Sequence, residues 1–236
     1  MQTFDRVKLL IGEENLEKLK NSSVAVFGVG GVGGYCAEAL VRSGVGRISL
    51  FDSDTVSESN LNRQIIATID TLNKDKVEVF KDRLLSINKD LIVTCNKVFY
   101  LPEVADNYPL NEYDYIVDAV DTVSAKIELI KRAKEQGVPI ISCMGTGGKI
   151  DPTKLQVTTI EKTSSCPLAR VMRRELNKRQ IKGVKVVYST ETFLRCEEEI
   201  NENNDGKKQV PPSMIFVPAS AGLLLAKEVV FDLIKD

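Results

Sequence analysis

The chain contains no histidine in 236 residues. That absence removes Ser-His-Asp and Cys-His catalysis and every histidine-ligated metal, leaving carboxylates, lysine, arginine and thiols for any chemistry. Cysteine is sparse: the five residues at 36, 95, 143, 166 and 196 form no C-x-x-C pair and no even framework. A structural zinc site and a disulfide scaffold are therefore not expected. No stretch approaches 18 uninterrupted apolar residues, and Met1–Lys20 lacks a signal-peptide layout. No membrane span is expected, and a soluble cytoplasmic protein is the default. There is also no internal repeat and no Gly/Ser linker, so residues 1–236 are read as one domain, with 43% hydrophobic content sufficient for a real core.

What the chain does have is a glycine-rich loop at Val24–Gly34. An apolar β-branched run ending at Phe27 leads into Gly28, Gly30 and Gly33, with Gly31 as an extra glycine. An apolar helical pattern follows through Ala37, Leu40 and Val41. This is the spacing of a strand feeding a tight turn, whose bare backbone lets a phosphate approach the amides of a helix N-terminus. An acidic residue is expected after the next strand to hold a ribose hydroxyl. Arg47–Phe51 reads as that strand, and Asp52 and Asp54 stand just beyond it.

The rest of the chain alternates β and α patterns. Glu13–Lys20 reads as a short amphipathic helix, followed by strand 23–28, helix 32–43 and strand 47–52. After a polar loop at 53–64 come helix 74–87 and strand 91–97, then an irregular piece with Pro102 and Pro109. Strand 114–118, helix 123–136 and strand 138–142 follow. Such alternation predicts an α/β, Rossmann-like, mostly parallel sheet with helices on both faces and a ligand crevice at the carboxyl ends of the strands. A C-terminal β/α extension is expected from strands at 155–160 and 184–189 around a basic helix at 167–179. Residues 197–212, acidic and then Asn/Gly/Pro-rich, read as a mobile loop, and 219–233 as an apolar helix.

A glycine loop of this kind serves a dinucleotide oxidoreductase or an ATP-using enzyme. The residues that separate the two are Asn60-Leu-Asn62-Arg63-Gln64, in the loop beyond the second strand, and Lys76 at the start of the next helix pattern. A triphosphate brings up to about four negative charges, so an arginine and a lysine converging on the crevice suit it. The plainer readings are a solvated helix lysine for Lys76 and a loop ion pair with a nearby acid for Arg63.

Taken together, Gly28-x-Gly-Gly-x-Gly33, Asp52-x-Asp54, Asn60-x-Asn-Arg-Gln64, Lys76 and Asp118-x-x-Asp121 resemble the ubiquitin-activating-enzyme-like adenylyltransferase superfamily. The resemblance implies that Gly31 and its neighbours line the α-phosphate of ATP and that Asp52 holds the ribose. Asn60, Arg63 and Lys76 would hold the triphosphate, with Asn62 in the same motif, and Asp121 would direct Mg²⁺. Arg6, in Phe4-Asp-Arg-x-x-x-Leu-x-Gly12, is similar to an arginine that reaches ATP in the partner subunit, which implies a homodimer. A sulfur-transfer protein is a further partner left open.

The second half narrows the resemblance. The segment Gly145-Thr-Gly-Gly-Lys-Ile-Asp-Pro-Thr-Lys-Leu-Gln-Val157 is similar to the branch of tRNA threonylcarbamoyladenosine dehydratases. So are Lys162-Thr163, Pro167-Leu-Ala-Arg170 and Val187-Tyr-Ser-Thr-Glu191. Members of the branch use ATP to close the carboxylate side chain of a modified adenosine beside the anticodon into a ring. The region 195–215 departs from the pattern.

Charge agrees with a nucleic-acid substrate. From Lys162 to Lys185 there are eight Lys/Arg against one acid, Glu175, in a chain of net charge −1. Arg170, Arg173, Arg174 and Lys178 fall at helical spacings that follow a phosphate backbone, the bland reading being a solvated helix face. Tyr188 is the only nearby aromatic, so base stacking is not indicated. Adenylating a carboxylate needs positioning and charge neutralisation rather than a base that titrates near neutrality, and so tolerates the lack of histidine. The second reading is adenylation of the C-terminal carboxylate of a ubiquitin-like or sulfur-carrier protein. It would call for a thioester-forming Cys166 or Cys196, whereas Cys36, Cys95 and Cys143 fall in core patterns.

Overall fold

The computed structural model describes residues 3–193 and 211–235. Seven strands run through its centre: β1 (Ser23–Phe27), β2 (Arg47–Phe51), β3 (Ile92–Asn96), β4 (Tyr115–Asp118), β5 (Ile140–Cys143), β6 (Leu155–Thr159) and β7 (Lys185–Ser189). They pair in the order β3-β2-β1-β4-β5-β7-β6. Every pairing is parallel except β6 with β7, which is antiparallel and forms one edge. The parallel, Val/Ile-rich strands at the centre are buried on both faces, as crossover helices require.

Alternation along each strand divides the core. Val24 and Val26 point to one face, packed with α3 (Gly33–Arg42), α4 (Lys76–Ile87) and α7 (Phe216–Leu233). Ala25 and Phe27 point to the other, covered by α5 (Val123–Glu135) and α6 (Pro167–Lys178). On that second face Phe27 stacks on Phe51 with ring centroids 4.1 Å apart. The chain leaves β1 toward β2 on one side and returns to β4 on the other. The crevice at this switch point, outside the carboxyl ends of β1 and β4, is where such sheets bind ligands.

Two elements differ from the sequence reading, and a third lies mostly outside the described residues. Helix α1 (Asp5–Ile11) precedes α2 (Glu13–Asn21), the two separated by Gly12 at φ +87°. None of its residues is fully buried: Val7 and Ile11, one turn apart, are half-buried, Ile11 against the core, while Leu9 and Leu10 are 80% and 83% exposed, so the apolar pattern of this short helix is divided between two faces. Helix α7 begins at Phe216 rather than 219. Pro218 falls in its first turn, where a missing N–H breaks no helical bond. Of the loop expected at 197–212, only Pro211 and Pro212 are among the described residues; the remainder, and Cys196, lie outside them.

Helix α7 packs closely on α3. A Cβ on Gly222 would stand 2.3 Å from the Val32 carbonyl oxygen, so only glycine allows this approach, and the side chain of Pro218 reaches Gly31 in the loop after β1. Among the described residues, no helix is long and apolar enough to cross a membrane.

Candidate functional site

The glycines after β1 fall into two kinds. Gly28, at φ +84°, would put a Cβ 2.7 Å from the Ala119 carbonyl oxygen, and one on Gly33 would meet the Gly28 oxygen at 1.7 Å. Packing forces both to be glycine. Gly30 and Gly31 are different. A Cβ on Gly30 would touch only the Gln64 side chain, at 3.7 Å, and one on Gly31 only Arg63 and Pro218, at 3.5 and 3.6 Å. Those are ordinary contacts, so the protein's own packing does not demand glycine there. Their bare backbone leaves room for a ligand at the N-terminus of α3. The side-chain carbonyl oxygen of Gln64, buried beside this loop, has no hydrogen-bond partner among the described residues. A group that brings a donor or bound water fits there, as a nucleotide does.

Two acids follow β2. Asp52 accepts the Val29 amide at 2.8 Å and the Asp54 amide at 2.9 Å, tying the end of β2 to the glycine loop. Burial raises its carboxyl above the usual range, while Lys76 and the two amides pull it down. Asp54 binds Lys76 twice: its backbone oxygen accepts the Lys76 amide at 3.0 Å, and Oδ2 accepts Nζ at 2.7 Å. Lys76 is 4% exposed, so it is not a solvated helix lysine. It enters the crevice at the N-terminus of α4.

The Asn-x-Asn-Arg-Gln loop splits its work. Asn60 accepts the Ser57 amide at 3.2 Å and closes its own turn. Asn62 donates to the Ser213 carbonyl at 2.9 Å. Arg63 donates to the Ser59 carbonyl at 2.6 Å and to Asn62 Oδ1 at 2.9 Å, with its stem against Gly31. No carboxylate is among those partners, so the guanidinium keeps its charge for an anion on the loop.

Asp121 lies exposed past the end of β4 and accepts a hydrogen bond from the Thr122 hydroxyl at 3.3 Å. Among the described residues no three His, Cys, Asp or Glu converge on a metal position. One carboxylate together with phosphate oxygens is a common way for a nucleotide enzyme to hold Mg²⁺, and Asp121 fits that role.

Under Asp121 lies a cluster that sequence reasoning missed. Lys126 Nζ donates to both oxygens of Asp118 at 3.0 Å and approaches Ser142 Oγ at 3.3 Å, while the Ser142 hydroxyl donates to Asp118 at 2.5 Å. Lys126 and Asp118 are both fully buried. The signal was present: Lys126 shares a helix face with Leu129, Ile130 and Ala133, all core residues.

The remaining candidates lie outside this crevice. Phe4 approaches Gly44, in the turn that feeds the amino end of β2, so α1 and the exposed Arg6 are at the opposite end of the sheet. Helix α6 starts against Gly145, just past β5, where Cys166 Sγ and Leu168 would each lie 3.7 Å from an added Cβ. Cys166 is buried there. From that end Arg170, Arg174 and Lys178 run exposed along α6, whereas Arg173 is tied to the carbonyl and hydroxyl of Thr163. Glu175 gathers Arg174, Lys178 and Arg179 at 3.3, 2.8 and 3.0 Å, and these cations hold its carboxyl down at about 2. Burial pushes the thiols of Cys95 and Cys143 up to about 11 and about 12, and raises Cys36 as well.

A switch-point crevice, a bare phosphate cradle and, beside it, an arginine bonded to no carboxylate among the described residues define a nucleotide-using α/β protein. The model of the ThiF family matches residues 4–234, and the chain belongs to that family and, within it, to the tRNA threonylcarbamoyladenosine dehydratases. A tRNA threonylcarbamoyladenosine dehydratase of Bacillus subtilis (strain 168) is 44% identical over 244 residues, covering 100% of this chain and 96% of the relative. The solved E. coli tRNA N6-threonylcarbamoyladenosine dehydratase in complex with AMP superposes with a TM-score of 0.89 at 34% identity, over 98% of this chain and 94% of that one. The same enzyme in complex with ATP gives a TM-score of 0.88 at 33% identity, over 98% and 93%.

Proposed function

We propose that this chain is an ATP-dependent enzyme that dehydrates threonylcarbamoyladenosine in tRNA to its cyclic form by adenylating the side-chain carboxylate. The observation that carries the reading is the pair Gly30 and Gly31, bare without steric need, facing an Arg63 that has no carboxylate partner among the described residues. Likeness along the full length to dehydratases, one of them solved with ATP, supplies the substrate class.

A carboxylate is a poor electrophile because its leaving group would be oxide. Attack of the carboxylate oxygen on the α-phosphorus forms one P–O bond and breaks another, releasing pyrophosphate. A nitrogen or oxygen of the same side chain then displaces AMP and closes the ring, with net loss of water. In this arrangement the amides at the start of α3, with Arg63 and Lys76, neutralise phosphate charge as it develops. Asp52 holds the loop and the ribose side, and Asp121 with phosphate oxygens would hold Mg²⁺, which adds charge stabilisation when bound. No histidine is required.

The exposed stripe Arg170–Arg174–Lys178 begins beside the crevice and suits the tRNA backbone, with Arg173 serving as a strut to Thr163. Two copies of the chain complete the sites, since Arg6 lies far from its own crevice on a helix whose Leu9 and Leu10 are unburied. Each copy acts as one adenylating domain, in the cytoplasm. The burial of Cys166 argues against a thioester relay through that residue. The test is incubation with ATP, Mg²⁺ and modified or unmodified tRNA, followed by nucleoside mass spectrometry. Loss of one water from the modified adenosine alone is expected; ATP turnover without that mass change would refute the reading.

A further inference from the structure

Lys149 is a buried cation to which the groups around the glycine cradle assign no part. It is 4% exposed, and its single hydrogen bond among the described residues runs from Nζ to the Gly145 carbonyl oxygen at 2.7 Å. No carboxylate among the described residues lies within ion-pairing distance of it. Glu191, the acid bound to the same loop, is spent on the amides of Ile150 and Asp151 at 3.0–3.1 Å. An ammonium has three N–H donors, so two remain unspent in a place with little water. Holding a charge out of water without a counter-charge is costly, and an anionic ligand would remove that cost.

Its position along the sheet selects the anion. Asp52 ends β2, the glycine cradle ends β1, Asp121 follows β4, and Gly145–Lys149 follows β5. Neighbouring strands are about 4.8 Å apart, so the Lys149 loop lies about two spacings, ~10 Å, past the cradle. It is on the side away from Asp52 and Lys76. The nucleotide's ribose therefore has its place over β2, and the nucleophile that attacks the α-phosphorus has the β4–β5 side left to it. The loop is pinned there: the Gly148 amide donates to the Pro212 carbonyl at 2.6 Å, and Asn62 holds the adjoining Ser213 from across the crevice.

We propose that Lys149 binds the carboxylate of the acyl substrate and presents it to the α-phosphorus. One carboxylate oxygen forms the new P–O bond while the other keeps its hydrogen bond to Nζ. The assignment rests on the dehydratase reading above and adds to it the group that recognises the threonylcarbamoyl acid.

The test compares wild type, K149M and K149Q, the last keeping an N–H donor for Gly145 without the charge. Wild type is first required to remove water from the modified nucleoside; if it does not, the dehydratase reading fails and takes this assignment with it. Given an active wild type, both variants are expected to bind ATP within about twofold of wild type. They should lose at least tenfold in single-turnover cyclisation, and with it the preference for modified over unmodified tRNA in equilibrium binding. Wild-type rates and preference in K149Q would overturn the proposal. So would a parallel loss of ATP affinity, which would assign the ammonium to the nucleotide. Loss of thermal stability in both variants, with cyclisation per folded molecule unchanged, would make Lys149 a strut of the loop.

Discussion

Removing the ammonium of Lys126 should unbalance the floor of the crevice more than any surface substitution could. In the native protein Asp118 takes two hydrogen bonds from Lys126 Nζ, one from Ser142 and one, at 3.3 Å, from the Val120 amide, with no exposure to water. Lys126→Met leaves the carboxylate buried with only the hydroxyl and the amide. Breaking one partner of a buried pair costs about 3–5 kcal/mol. In a protein of this size each kcal/mol lowers the melting temperature by roughly 2–4 °C, so a fall of roughly 8–16 °C is expected for a loss near ~4 kcal/mol. Asp118→Asn combined with Lys126→Met removes the stranded charge and should cost less than the sum of the two single changes, by up to about 3 kcal/mol. Urea unfolding with an unchanged m-value is the assay. Single variants that each lose under about 1 kcal/mol and add within error would show that the pair is not dry. The turn from Asp118 to Asp121 hangs on this cluster, so folded Lys126→Met should also adenylate more slowly at saturating ATP.

Arg63→Ala and Lys76→Ala should each weaken transition-state stabilisation by about 3 kcal/mol, as expected when a preorganised charge is removed; single-turnover rates that fall less than about threefold would make both side chains structural. Mixing an Arg6→Ala chain with an Asp121→Asn chain should restore up to about a quarter of wild-type activity through heterodimers with one intact composite site, and no recovery in mixtures shown to exchange subunits would put both residues in the same protomer's site. Charge reversal at Arg170 and Arg174 should weaken tRNA binding and flatten its salt slope without touching ATP affinity. Glu175→Gln should do the opposite, tightening tRNA binding, and by the same factor from pH 5 to pH 9 because a carboxyl held at about 2 is ionised throughout; an effect that appears only at one end of that range would contradict the ion-pair cluster.

The sheet and its helices were legible because strand and helix periods alternate cleanly from Ser23 onward, and because Gly28 and Gly33 mark a turn that backbone contacts impose. The family was legible in the order of its motifs. What periodicity could not carry was anything decided by a distant partner. Arg173 counts as one more cation in a basic segment until Thr163, ten residues away, claims it. Lys126 looks like a helix lysine until Asp118 and Ser142 meet it from neighbouring strands. Helix α1 stayed hidden for another reason: it is short, and its apolar residues are split between a half-buried pair, Val7 and Ile11, and the exposed Leu9 and Leu10, so no single face stands out.

The close seat of α7 on α3 also bears on how the molecule is made. Gly222 and Pro218 back Val32 and Gly31 from about 190 residues further along the chain. Contacts of such span are slow to close. On the ribosome, β1 and its glycine turn emerge long before the helix that supports them, with the apolar side of α3 bare in the interval. A nascent chain in that state presents a sticky face and an unfinished nucleotide cradle, so ATP can reward only the finished fold.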